Sequence, residues 1–416
     1  MRNAVIVAIV LAVVTLCNVE MSSAEIDTSF TGFPTINVLQ PGNPTFDSPL
    51  TSDFVDAPLR PKWTRAMSDV GGWPTMFEFN DDIYLEFNLV DGHRGRGAPG
   101  ATGDLVRYRG SDGGNTWELL DDSVLGDRLI GEYAVKGDTI YRYDWIASEG
   151  RTAVSTSTDG VTFTETQPVY ESSYWLWGVI YDDASDKFYA APHFIPPTSD
   201  ETQRQVHLIE SDNGIDWDYV STVQGIGNHE SETAIHIRED GSMIAFVRQK
   251  WAARRYFEAT SQTAPYTDWD SVQKDISLEG HHFFEVDGQL FLGSRAFLDP
   301  GLATEQLILE NAELGQSRLP YTMLYKVETD LSLTPWAVLD SLGDNSYPYV
   351  VVTDDEVLVA YYSQHQDGVD KVYLAAFDKD AFLAGQVPEP STFVLAATGF
   401  AALCLLWRKR RARSAG

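Results

Sequence analysis

The sequence predicts an all-β fold, a β-propeller of six blades, on the strength of two interleaved repeats. The first is a tight turn between short alternating apolar runs, at Asp81-Asp82, Gly137-Asp138, Ala184-Ser185, Asp240-Gly241, Asp287-Gly288 and Asp354-Asp355. Counted from Asp81, Asp138, Ala184, Asp240, Asp287 and Asp354, the steps are 57, 46, 56, 47 and 67 residues. The second is a turn motif that falls between those hairpins. It reads Ser111-Asp112-Gly113-Gly114-Asn115-Thr116-Trp117, then Ser157 to Phe163 and Ser211 to Trp217, with weaker copies ending at Trp269 and Trp336. Sequence periods of this size, with several strands in each, mark sheets repeated around an axis.

Each part of the repeat has a local reason. Runs such as Ile83 to Phe87, Thr139 to Tyr143 and Val357 to Tyr361 alternate, are aromatic or branched, and are bounded by Gly and Asp. They read as strands, and no long amphipathic helical pattern competes with them. In the turn motif a short polar side chain accepts backbone N–H groups and Gly takes a left-handed conformation. The aromatic at its end fills the space between adjoining sheets. The segment 34–66 is expected to supply a strand that closes the ring with the last blade.

The two ends are of another kind. Arg2 precedes an apolar run from Ala4 to Leu16, and Ser22-Ser23-Ala24 offers small residues for cleavage, so residues 1–24 read as a secretory signal helix. Residues 387–416 contain Val387-Pro388-Glu389-Pro390-Ser391-Thr392, fifteen uncharged residues from Phe393 to Trp407, and a basic tip of Arg408, Lys409, Arg410, Arg411 and Arg413. At ~1.5 Å rise per residue, that hydrophobic helix falls short of the ~30 Å hydrocarbon core. Its basic tip favours the cytoplasmic side. The block resembles the PEP-CTERM sorting signal of bacteria that export proteins for processing by an exosortase. The resemblance implies signal peptidase and exosortase as processing partners, with transient membrane anchoring. It also implies a final place in the cell envelope or extracellular matrix of a Gram-negative-type bacterium.

Between the ends lies one expected domain, 25–386. Cys17 and Cys404 both fall outside it, so it relies on its hydrophobic core rather than on disulfides. It holds 24 basic against 59 acidic residues, which makes nucleic acid a poor partner. No nucleotide loop, dinucleotide fingerprint or metalloprotease motif appears, and no cofactor is expected. His281-His282 has no third ligand at metal-site spacing, so no metal is expected either.

Counting from the hairpins suggests where chemistry sits. Glu232 stands nine residues before Gly241 and Arg248 seven after it. Glu279 stands nine before Gly288 and Arg295 seven after it. An acid and an arginine are therefore expected at equivalent places in two blades. Tyr347 stands eight before Asp355, Trp73 nine before Asp82, and Trp175 and Trp177 approach the third hairpin. These aromatics suit either packing or a platform for sugar rings.

The turn motifs resemble the Asp-boxes (BNR repeats) of sialidase-type propellers. The stretch from Asn228 through Glu232 to Arg248, and Ser346-Tyr347-Pro348 with the strands after it, resemble that family's catalytic segments. The resemblance implies a six-bladed sialidase-like propeller in which Glu232 is the base and Tyr347 the nucleophile. Arg248 and Arg295 would hold an anionic or polar substituent, with Trp73, Trp177, Glu279 and His281 around them. Two departures stand out. Trp73 precedes Pro74 where the family has an arginine, and Gly97 to Thr102 carries no acid where the family has its acid/base Asp. Asp91, His93, Arg94, Arg96 and Asp104 flank that stretch. Loss of a general acid costs ~10²–10⁴-fold, and loss of an arginine weakens a bidentate carboxylate clamp. Three functions fit: a surface glycoside hydrolase, a non-catalytic binder of extracellular glycan or polysaccharide, and a structural matrix module.

Overall fold

The computed structural model describes residues 38–39, 59–90, 103–120, 128–198, 200–227, 229–250, 255–298, 319–366 and 368–385. The expected signal helix and C-terminal hydrophobic helix lie outside these residues. Among the described residues no helix is long and apolar enough to cross a membrane.

Six antiparallel sheets follow one another along the chain, one for each predicted hairpin. The first blade runs Gly72–Phe79, Asp82–Asn88, Leu105–Ser111 and Thr116–Leu119, from the axis outward. The second runs Arg128–Lys136, Thr139–Ile146, Arg151–Ser157 and Gln167–Pro168. In the third the inner strand is split into Tyr174–Trp175 and Ile180–Asp182, and its neighbour into Lys187–Ala190 and His193–Phe194. Pro192 sits in the second gap, where it has no N–H to give a ladder. Val206–Ser211 and Asp218–Gln224 complete that blade.

The fourth blade is Glu230–Ile237, Met243–Gln249, Tyr256–Ser261 and Asp270–Lys274. The fifth is Glu279–Val286, Gln289–Leu298, Leu319–Val327 and Leu333–Val338. The sixth has Asn345–Val352, Glu356–Ser363 and Lys371–Asp378 from the C-terminal side. The next strand outward, Trp63–Ala66, comes from the N-terminal side, pairs with Lys371–Asp378 from Trp63↔Ala376 to Ala66↔Tyr373, and carries the two-residue strand Val38–Leu39 on its outer edge. The ring is thus closed by hydrogen bonds between the two ends of the propeller. The short helix Lys379–Ala384 follows, capped by Asp378 and ended by Gly385 at φ 63°. Its buried Phe382 packs on Phe291 and Phe377.

The core is distributed over the seams between blades. Met76, Leu85 and Trp117 of the first blade meet Leu358 and Leu374 of the sixth. Phe246 and Tyr256 of the fourth meet Leu292 and Tyr321 of the fifth. The other four seams are filled in the same way. The first hairpin turns at Asn80 and Asp81, both at positive φ, one residue earlier than the Asp81-Asp82 expectation. Asp82 already belongs to the next strand.

The turn motifs lock each blade to the one before it. Their glycines Gly114, Gly160 and Gly214 have φ of 84°, 72° and 73°. A Cβ there would lie 2.6 Å from Leu358, 2.5 Å from the Tyr84 hydroxyl and 2.8 Å from Tyr141, each on the preceding blade. The same glycine carbonyls accept from Arg65 at 2.8 Å, Arg107 at 2.6 Å and the Tyr143 hydroxyl at 2.8 Å. The polar position varies. Asp159 Oδ1 accepts from the amides of Val161 and Thr162, and Asn213 Oδ1 does the same for Ile215 and Asp216. Gly113 occupies that position in the first motif. What all three retain is the glycine and the aromatic that close the seam.

Candidate functional site

Five of the six inner strands carry a β-bulge at the same height. It places Trp73-Pro74, Ile130-Gly131, Ser231-Glu232, Gly280-His281 and Tyr347-Pro348 opposite single residues of their partner strands. A bulge re-aims the side chains at its position. Trp73 and Tyr347 pay for this placement with φ of 53° and 54°, which branched and bulky residues adopt only under constraint. One residue further in, Thr75, Glu132, Thr233, His282 and Tyr349 form the next layer.

This register corrects the expected equivalence of the two acid–arginine pairs. Glu232 matches His281, and Glu279 matches Glu230. Arg248 lies opposite the fourth-blade bulge, whereas Arg295 pairs directly with Glu279. The cause is loop length. The fourth hairpin pairs Ile237 with Met243 across a wider loop, and the fifth pairs Val286 with Gln289 across two residues. Counting from the turn glycine therefore slips the register between blades.

The side chains nonetheless converge. The Tyr347 hydroxyl donates to Glu232 Oε1 at 2.8 Å. Glu232 Oε2 accepts from Arg248 Nη1 at 2.5 Å and from the Gly280 amide at 3.1 Å. Arg248 Nη2 and Arg295 Nη1 both lie 3.1 Å from Glu279 Oε2. Arg295 Nη2 reaches Asp344 Oδ1 at 3.3 Å and the Tyr362 hydroxyl at 3.1 Å, and its Nε donates to the Asn345 carbonyl. Burial opposes the Glu232 charge, but Arg248 and the Tyr347 hydroxyl outweigh it and hold the carboxyl well below its usual range. Burial, reinforced by the Glu232 charge, pushes the Tyr347 hydroxyl well above its ordinary value.

Trp177, only 5% exposed, stacks on Tyr347 with ring centroids 5.7 Å apart. It backs the tyrosine rather than presenting an open face. Trp73 and Trp175 are half-buried. His281 is withdrawn from this constellation: it is 1% exposed, and its Nε2–H donates to the Phe246 carbonyl at 2.6 Å. Burial lowers its pKa to about 4, so the imidazole is neutral.

Beneath Tyr347 the axis is closed by groups that belong to no sequence motif. Glu132 Oε1 of the second blade lies 3.9 Å from His282 Nε2 of the fifth, and the His282 and Tyr349 rings are 3.9 Å apart. Burial pushes the Glu132 carboxyl up to about 8, against the Gly178 amide and the Tyr349 hydroxyl, and lowers His282 to about 3. The pair is therefore neutral: a carboxylic acid beside an uncharged imidazole. Glu132 was reachable from the sequence only by applying the bulge to every blade, since no motif surrounds it. Asp344 and Tyr362, which hold Arg295, were missed for the same reason. Among the described residues no group of three or more His, Cys, Asp or Glu could hold a metal ion.

Comparison with known proteins agrees with this architecture. Solved structures with the same fold include a protein from Dyadobacter fermentans, at TM-score 0.58 and 16% identity, covering 76% of this chain and 99% of that one. A Hadza microbial sialidase matches at 0.52 and 16%, covering 76% and 66%. A Trypanosoma rangeli sialidase, in complex with 2,3-difluorosialic acid as a covalent intermediate, matches at 0.52 and 11%, covering 77% and 56%. The chain thus spans less than two thirds of either sialidase, and at these identities the likeness is one of fold. No curated protein matches the chain. The fold defines a sialidase-like six-bladed β-propeller. At its C-terminus, residues 386–411 match the PEP-CTERM protein-sorting motif.

Proposed function

We propose that this protein is an exported hydrolase of extracellular glycosides, with Tyr347 as nucleophile and Glu232 as its base. The observation that carries the proposal is the 2.8 Å hydrogen bond from the Tyr347 hydroxyl to Glu232. Tyrosine, ordinarily near pKa 10 and here held well above it, is a weak nucleophile at neutral pH and needs a base within hydrogen-bond reach. As the Tyr347 oxygen bonds to the anomeric carbon, the bond to the leaving-group oxygen breaks and the phenolic proton passes to Glu232 Oε1. Water then cleaves the glycosyl-tyrosine, returning a proton to Tyr347. This departs from the two-carboxylate scheme of most glycosidases. Arg248 and the Gly280 amide fix the other Glu232 oxygen, so the base is already aimed. The leaving-group proton is assigned to Asp91, His93 or Asp104, of which the first two lie outside the described residues.

The sorting motif supports action outside the cytoplasm, in the cell envelope or matrix, on polysaccharide there. The propeller is taken as residues 25–386, released from its ends by signal peptidase and exosortase. Purified protein is expected to hydrolyse at least one member of a broad panel of aryl glycosides. Glu232→Gln and Tyr347→Phe should each lower kcat/KM by about 10²–10⁴-fold. Turnover that survives in both variants would sink the assignment.

One observation favours a second reading, a glycan-binding propeller without turnover. The chain of ion pairs from Glu232 to Asp344 is also how a propeller mouth is braced. That reading predicts sugar binding by the wild type with no hydrolysis of any glycoside.

A further inference from the structure

We propose that the mouth takes an uncharged sugar ring and discriminates against sugars that carry a carboxylate. The inference rests on reading the mouth as a sugar site, and not on turnover.

Both nitrogens at the tip of Arg248 face carboxylates, Nη1 on Glu232 and Nη2 on Glu279. Arg295 is held on every side, by Asn345, Glu279, Asp344 and Tyr362. A bidentate clamp for a substrate carboxylate needs a guanidinium edge that no protein carboxylate already occupies. Arg295 offers none, and on Arg248 only the buried Nε lacks a partner, beside two tip nitrogens that both face carboxylates.

The charge count points the same way. Within the bonded chain three carboxylates, Glu232, Glu279 and Asp344, face two guanidinium groups, an excess of one acid; Arg204, paired with Glu201, and Lys250 lie further out on the Glu232 side. The nearby histidines do not offset the excess. His193, His281 and His282 are all buried, and each has its pKa lowered, chiefly by that burial. An anionic sugar would either displace Glu279 or Asp344 from Arg295, leaving a buried charge unpaired, or sit beside a like-charged cluster.

The sixth and first blades carry aromatics, not cations, at equivalent bulge positions. Trp73 occupies the bulge position of the first blade that Tyr347 occupies in the sixth. Both pack against the same seam and both are half-buried. The bulge position of the neighbouring blade therefore carries an indole, which has no charge and can stack on the C–H face of a pyranose. Sugar hydroxyls, being donors, can bond to the oxygens of Glu232, Glu279 and Asp344 without displacing an ion pair.

The test uses matched pairs on the full-length protein: methyl glucoside against methyl glucuronide, and methyl N-acetylglucosaminide against methyl N-acetylneuraminide. Affinity is measured by calorimetry and hydrolysis with the corresponding 4-nitrophenyl compounds. The neutral member of at least one pair is expected to win by about tenfold or more. Trp73→Arg, which adds a guanidinium beside Tyr347, is expected to shift that ratio toward the anion by a similar factor. Binding of neutral sugars without hydrolysis would retire the catalytic assignment and leave this one standing. Preference for the carboxylate-bearing member, or no binding of any of the four, would overturn it. The wild-type ratio decides the matter even if the variant does not fold.

Discussion

Glu132→Gln leaves the protein more resistant to unfolding than the wild type at pH 9, and no more resistant at pH 4. The Glu132 carboxyl is pushed up to about 8 from an ordinary 4.5, because it is buried across the axis from His282. Between those values the folded chain holds a proton that the unfolded chain has released. Stability therefore falls as pH rises through that window, by ~1.4 kcal/mol per unit. Below it both states are protonated, and the group contributes its full stabilisation. Above about 8 the loss levels off, at a total on the order of 5 kcal/mol. Glutamine keeps the shape and removes the titration, while other titrating groups largely cancel in the comparison. Denaturant midpoints at pH 4, 7 and 9 read the difference directly. Parallel curves for the two proteins would mean that Glu132 is ionised in the fold, opposite a protonated His282.

Glu232→Ala is expected to cost about 3–5 kcal/mol of stability at pH 7, the usual result of removing one partner from a buried ion pair. Arg248 would be left with Glu279 alone, which it shares with Arg295. The Gly280 amide and the Tyr347 hydroxyl would lose their acceptor as well. Glu232→Gln keeps the shape and should lose less. Its deficit has a definite pH dependence. A depressed carboxyl contributes stability above its unfolded value, near 4.5, and that contribution is lost as pH falls toward the folded value. The deficit should therefore shrink in acid. Adding Arg248→Met to Glu232→Ala should recover part of the loss, since the orphaned charge goes with it. The exposed pair Lys62–Glu356, with Lys62 56% exposed, serves as a control and should change stability by less than about 1 kcal/mol.

The fold was legible because its signals are local. Each hairpin and each turn motif is written in a few adjacent residues, such as Asp287-Gly288 or Ser157 to Phe163, and their alternation fixes the blade count. Ring closure by Trp63–Ala66 was foreseeable because a propeller needs its ends joined. The site was legible only in part. Glu232, Arg248, Glu279, Arg295 and Tyr347 were singled out and do converge, yet the register that linked the two acid–arginine pairs was two residues out for the acids and one for the arginines. Bulges and hairpin loop lengths set which residues share a height, and neither leaves a composition signal. Groups from opposite blades were harder still. Glu132 and His282 meet across the axis, and Trp177 crosses it to reach Tyr347, although nothing in either neighbourhood names the other.

The central claim is that Tyr347 and Glu232 form a working nucleophile and base. The most direct measurement incubates the protein with a 2-deoxy-2-fluoro glycosyl fluoride of a sugar it hydrolyses, then locates any adduct by peptide mass spectrometry. The fluorine slows breakdown of a covalent intermediate so that it accumulates. One glycosyl group on Tyr347 is expected, with labelling abolished in Tyr347→Phe and strongly slowed in Glu232→Gln. Inactivation with the sugar on another residue, or turnover of the parent glycoside with no trapped tyrosine, would contradict the claim.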